Sequence, residues 1–527
     1  MAGVDRSAFR QFRAPRGQGQ SLVDPGWDEL LPLVEANRQL AAGLPYDFGG
    51  TPLVELRAAA RSSLLHAATG ATVTDALERP LIMSGHQPEL FHPGVWFKNF
   101  VLDRLARESA GRAVNLVIDS DLCRAPSISV PTGGATSPRV DAVAFDAAST
   151  PLPFEQRGVL DRSVLESFPD RVGEALAGLI DQPLVTGLWP RVVAAVAEGQ
   201  PLGAAIGVAR HALELDWGLA HSEAPISSVC DASPFRWFAL DILLRLDDFH
   251  RAHNQALAEY RTAHKIRTPA QPIPDLHQRD GWLEAPFWVW TDDQPERRPL
   301  FARRDSGRLV LSDLLGGEWP IADAANFDSG AARLAELRFQ HGVKIRSRAL
   351  VTTVFARLLL ADVFIHGIGG AKYDQVADRA AELYFGFAPP PHATATATLQ
   401  LPIPHAPRIS RDRPREIAAE LRALQYHPER HLESPPSNAA AHIDAKRRWV
   451  QTDKTPANAA ERHHAIESAN AALQPFVEPR RAELLVEQER TTELLRTTAV
   501  LESREYAFCL FPADWLREQL RQVTAQA

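Results

Sequence analysis

Two stretches of this 527-residue chain put histidine, glycine and charged residues directly after short apolar runs. In the first, Leu81-Ile82-Met83 leads through Ser84 into Gly85-His86-Gln87. In the second, Val363-Phe364-Ile365 leads into His366-Gly367-Ile368-Gly369-Gly370, with Lys372, Tyr373 and Asp374 close behind. An imidazole titrates near working pH, so His86 and His366 suit proton transfer or phosphate contact, with Gln87 beside them. Gly85, Gly367, Gly369 and Gly370 allow a backbone to approach an anion, and Lys372 and Tyr373 add a charge and a phenol. Asp119 and Asp121 follow a third apolar run, Val114–Ile118, where they hold an amine, a ribose hydroxyl or a hydrated Mg²⁺, or else cap the next turn. Arg346 and Arg348 are candidate clamps for a carboxylate or phosphate, or else a solvated strand edge. Neither glycine loop is a Walker loop or a full GxGxxG. No residue stands out as a nucleophile, which favours direct condensation or an activated acyl group over a covalent enzyme intermediate.

Such residues need elements to position them. The pattern predicts strand, loop and helix twice: from Leu81 into an amphipathic helix beginning at Val95, and from Val363 into a helix over Ala371–Phe385. In that first helix Lys98, Asn99, Asp103 and Arg104 form the polar side. In an open α/β sheet both loops emerge at the carboxyl edge, so His86 and His366 are expected to face one pocket. The three apolar runs should lie in one mostly parallel sheet. Residues 1–75 read as a helical preface and 76–405 as the α/β core. An insert over about 234–300 contains a long helix from Pro234 and the strands Phe287–Trp290 and Leu300–Arg303, where Glu284, Trp288 and Arg303 are pocket candidates. Ile226–Val229 reads as a further strand. Residues 406–527 read as a helical arm of coiled-coil type, in which Leu473, Val477, Leu484, Leu495 and Thr498 recur at roughly heptad spacing. The apolar tail after Ser503 must pack onto the body or a partner subunit.

Length implies two or three domains. The composition is globular, and a net charge of −8 gives no support for nucleic-acid binding. Three isolated cysteines and no CxxC or His–Cys spacing argue against a disulfide framework or a metal site. The first twenty residues lack an apolar segment, and Ala349–Ile365 is interrupted by Arg357 and Asp362. A cytoplasmic protein without membrane or nucleic-acid partners is expected.

Taken in order, these elements resemble the bacillithiol-biosynthesis cysteine-adding (BshC-like) family. Gly85-His86-Gln87-Pro88-Glu89-Leu90-Phe91 is similar to that family's GQQ-x-x-L-F loop, with His86 in place of the first Gln. Asp119-Ser120-Asp121 matches its acidic cluster without the histidine, and Pro93-Gly94 reverses its Gly-Pro. Gly367 to Tyr373 resembles its G-x-G-E-x-x-Y loop, with the Glu replaced, and Arg504-Glu505-Tyr506 its E-R element before an aromatic tail. The resemblance implies a Rossmann-like core with inserts, a nucleotide site, homodimers through the arm, and addition of cysteine to a glucosaminyl-malate acceptor. The expectation is therefore a ligase joining an amine-bearing small molecule to an acceptor, with an adenine nucleotide as the possible cofactor. The competing readings are a catalytically silent nucleotide-binding or assembly protein and a nucleotidyl- or glycosyl-transferring enzyme on the same fold.

Overall fold

A computed structural model describes residues 12–305, 307–321, 327–404, 409–410 and 412–527. The expected boundary between core and arm, at 405–406, lies outside the described residues.

A six-stranded, mostly parallel sheet organises the α/β body. Its order across the sheet is Gln20–Asp24, Ala393–Thr398, Val363–His366, Leu81–His86, Arg112–Val117 and Ser222–Pro225. The last five are parallel to one another, and Gln20–Asp24 closes one edge antiparallel to Ala393–Thr398. The three apolar runs singled out in the sequence are thus neighbours. Val363 pairs with Ile82, and Leu81 with Arg112. Chain order reverses between the His86 strand and the His366 strand: later strands go to one side of Leu81–His86, then to the other.

Alternation along these strands explains why both faces are covered. Leu81, Met83 and Phe364 enter one apolar core with helix Leu53–Thr69 and the helices after Ile226. Ile82, Val363 and Ile365 enter a second core with helix Pro93–Glu108 and the C-terminal tail.

Three readings need correction. Ile226–Asp231 is a helix, and the strand is the preceding Ser222–Pro225. A four-residue run cannot separate the two by periodicity, and this strand pairs on one side only, so it needs no apolar signature. Ser233–Leu244 and Leu246–His264 are two helices rather than one. After them comes a second sheet of strands from Gln278 to Ser347, antiparallel at each pairing, which extends the insert well past residue 300.

The arm is three helices, Arg413–Tyr426, Ser437–Gln451 and Ala459–Leu501. Ile417, Leu424, Val477 and Leu484 form its own small apolar cluster. The tail is not left for a partner. Phe508, Cys509, Leu510 and Phe511 are fully buried in the second core of their own chain, and the Phe508 amide donates to Phe91 O at 2.8 Å. That removes the tail as a reason to expect a dimer. Among the described residues no helix is long and apolar enough to cross a membrane.

A cationic cavity at the sheet reversal

His86 and His366 end adjacent parallel strands, and both line one cavity of about 760 Å³ at the carboxyl edge of the sheet. That is where an open α/β sheet leaves a crevice, because helices on opposite faces diverge from a point of strand reversal. Gly85, Gln87, Asp121, Arg348, Gly367, Gly369, Gly370 and Tyr373 line it too.

Each loop has a local reason for its shape. Helix Pro93–Glu108 begins behind the first loop, with His92 Nδ1 accepting from the Gly94 amide at 3.1 Å. Gly94 cannot carry a side chain, since a Cβ there would lie 2.1 Å from Ala397 O. Helix Ile368–Phe385 begins behind the second loop. Its Gly370 leaves room for the His366 ring, whose Nδ1 is 2.7 Å from where a Cβ would stand. The amino terminus of the second helix opens onto the cavity and favours an anion, whereas at the first Pro93 has no N–H and the Gly94 amide is taken by His92.

The imidazoles differ in setting. Burial, with the nearby Lys98 charge, lowers the His86 pKa to about 3, so this ring is neutral at working pH. Its Nδ1 lies 3.2 Å from Gln87 O and its ring meets Phe91 edge-on at 5.0 Å. His366 is 4% exposed, and its Nε2 lies 2.8 Å from Asp374 Oδ2. Asp374 is buried and held ionised, well below the usual carboxylate range, by His366 and Arg357. Arg357 Nη1 approaches it at 2.7 Å and Thr353 Oγ1 at 2.5 Å. The carboxylate lies at ion-pair distance from the ring and favours its charged form, though Nε2 makes no hydrogen bond to it.

Other expected residues are placed differently. Asp119 does not line the cavity and does not cap the next turn: it accepts from the Ser227 amide at 3.0 Å and from Ser227 Oγ, at the start of the distant helix Ile226–Asp231. Burial next to Glu155 raises its pKa to about 6. Asp121 lines the cavity but is engaged by Gln87 Nε2, Arg297 Nη1 and the Leu122 amide, each at 2.8 Å. It positions Gln87 and Arg297 rather than standing free for an amine. Arg346 is not a clamp; it is buried between Glu155 and Asp231, at 2.8 and 2.7 Å. Lys372 is exposed on its helix and away from the lining.

Lys98 supplies the charge expected from Lys372. It is 3% exposed, its Nζ donates to Gly85 O at 2.7 Å, and burial with the charge of Arg210 lowers its pKa to about 7. Reading it as part of a polar helix face hid it. Arg348 pairs with Glu284 at 2.7 Å, and the guanidiniums of Arg348 and Arg297 lie over Trp288 at 4.0 and 4.4 Å from its ring centre. Trp288 lines the cavity rather than serving only as core, whereas Arg303 stacks on Trp282 outside the lining. Arg504, from the segment after the long arm helix, completes the wall and donates to Thr396 Oγ1 at 2.9 Å. Against Lys98, Arg297, Arg348 and Arg504, the lining holds, among the described residues, the carboxylates of Asp121 and Glu505.

No protein-family model and no curated protein matches the sequence.

Proposed function

We propose that the cavity is the active site of a ligase-like enzyme on a Rossmann-like sheet, joining cysteine or another amine-bearing small molecule to an anionic acceptor. The observation that carries this reading is the convergence of two histidine–glycine loops, from adjacent strands at the sheet reversal, on one cation-rich cavity. The order of strands, reading 3-2-1 and then 4-5 for the parallel set, supports the Rossmann-like assignment. The loop, acidic and tail elements that resemble the BshC-like family supply the choice of cysteine and of a glucosaminyl-malate-type acceptor.

Joining a carboxyl group to an amine forms an amide and expels water, so the amine must lose a proton and the carbonyl oxygen must be stabilised. His366, whose charged form the Asp374 carboxylate 2.8 Å away stabilises, accepts the proton. Neutral His86 gives its one proton to Gln87 O, so its other ring nitrogen holds the amine as a hydrogen-bond acceptor, while Lys98 and the amides at Ile368 face the developing charge on oxygen. An adenine nucleotide fits the same wall: the amides at Ile368, with Lys98 and Arg348, would hold its phosphates, and it would supply carboxylate activation. Pairing of two copies through the helical arm belongs to the same reading, supported by exposed Val450, Leu485 and Val486.

Lys98 gives this reading a signature in pH. Its folded-state pKa is lowered to about 7, so above that pH the folded protein holds it neutral while the unfolded chain still binds the proton. Stability without ligand therefore rises from about pH 7 up to the ordinary lysine range. An anion beside Lys98 favours the charged form, so binding takes up a proton and weakens as pH rises through 7 to 9. Calorimetry with ADP in buffers of different ionisation heat should show that uptake in the wild type and its loss in Lys98→Met. ADP binding with no proton uptake, or no binding of ADP at all, counts against the nucleotide part of the proposal.

A further inference from the structure

Outside the cavity, helix Leu202–Asp216 and the edge strand Ser222–Pro225 bring two histidines and two glutamates together. His211 Nδ1, Glu214, His221 Nε2 and Glu223 present ligand atoms that all lie within 4.8 Å of one another. None of the four lines the cavity. Glu214 Oε2 lies 3.2 Å from His221 Nε2 and 3.5 Å from His211 Nδ1, and Glu223 Oε1 lies 4.0 Å from His221 Nε2. Ligand bonds of about 2.0–2.2 Å place the corners of a tetrahedral zinc site roughly 3.3–3.6 Å apart. The cluster has that scale before any ion enters it.

Two further observations point to a ligand rather than to a self-sufficient ion pair. His211 Nδ1 is shielded from solvent and makes no hydrogen bond. Glu214 is held from behind, its Oε1 accepting from Trp96 Nε1 and from Asn99 Nδ2 at 2.7 Å, and Glu223 Oε1 is fixed by Asn115 Nδ2 at 2.5 Å. Such outer partners orient carboxylate ligands toward a metal. Arg210 donates to Glu214 Oε2 at 2.6 Å and to both Glu223 oxygens at 2.6 and 2.7 Å. The partly exposed His211 and Glu223 leave a route from solvent.

We infer that His211, Glu214, His221 and Glu223 bind one divalent first-row metal ion, zinc before others, which ties the edge strand of the sheet to helix Leu202–Asp216. The donor set of two imidazoles and two carboxylates is one that zinc accepts. Sequence spacing alone hides it, because the two pairs sit on different elements joined by a turn.

The test uses full-length protein purified without chelator or affinity histidines. Elemental analysis should find about one metal ion per chain. After chelation, Zn²⁺ alone should rebind in a single-site isotherm and raise the melting temperature. His211→Ala, at the partly exposed corner, should lose at least tenfold in Zn²⁺ affinity while keeping its far-ultraviolet circular dichroism. His463→Ala, on the exposed arm, should bind as the wild type does. Wild-type protein that neither retains a metal nor binds Zn²⁺ overturns the inference. So does His211→Ala binding with unchanged affinity.

Discussion

Replacing Asp362 by alanine is expected to destabilise the protein by about 3–5 kcal/mol, the cost of leaving buried charge without its partner. Asp362 is 2% exposed and immediately precedes the His366 strand. Its Oδ1 takes Arg57 Nη2 at 2.9 Å and Arg61 Nη2 at 2.5 Å, while Oδ2 accepts from the Leu81 amide at 2.8 Å. One carboxylate therefore joins the starts of both strands that end in His86 and His366. The two arginines come from helix Leu53–Thr69 and also cap carbonyls left over by the wide helical turn Ala356–Leu360: Arg57 binds Leu358 O and Ala361 O, and Arg61 binds Leu360 O. Burial beside Arg61 already lowers the Arg57 pKa to about 9. Without Asp362, two buried guanidiniums repel each other and an amide loses its acceptor. Chemical denaturation should show the shift, with Asp362→Asn recovering only the Leu81 contact. A loss below about 1 kcal/mol would mean that water reaches the arginines and that the clamp does not set the strand ends.

The second large effect concerns turnover. His86→Ala is expected to slow the proposed condensation by roughly 10²-fold, the usual loss when a group that positions a reactant is removed. Because His86 is neutral and its contacts are Gln87 O and the Phe91 ring, the melting temperature should change little. His366→Ala is expected to slow the reaction by roughly 10²–10⁴-fold as a lost general base. It should also cost stability, because Asp374 would keep Arg357 but lose the imidazole 2.8 Å away. The separation between the two variants is the informative result. Equal stability losses in both, with turnover tracking the folded fraction, would make the histidines packing residues.

How much of this was legible in the sequence follows from which interactions are local. The strands at Leu81, Val114 and Val363 announce themselves because a buried parallel strand needs a continuous apolar run. That topology also places His86 and His366 together, since each simply follows its strand. Asp103 and Asn99 were opaque, because the groups that satisfy them, the Ala220 amide and Glu214, come from more than a hundred residues away. Lys98 was hidden differently: its acceptor, Gly85 O, is local, yet only the folded packing makes a helix lysine the cavity's cation. Arg346 and Arg348 look equivalent in sequence, two positions apart and so nominally on one face. The strand ends at Ser347, so Arg346 stays between Glu155 and Asp231 while Arg348 turns into the cavity. Trp288 and Arg297 come from the second sheet, whose docking no local pattern encodes.

The account rests on the cavity being a place where two small molecules are joined, and product formation tests that most directly. Wild-type protein, His86→Ala and His366→Ala would each be incubated with cysteine, glucosaminyl-malate and ATP, and the products weighed by mass spectrometry. The account predicts a wild-type product whose mass is the sum of cysteine and acceptor less one water, depleted at least about a hundredfold in both variants. A wild type that forms no such product, or variants that form it undiminished, would contradict it.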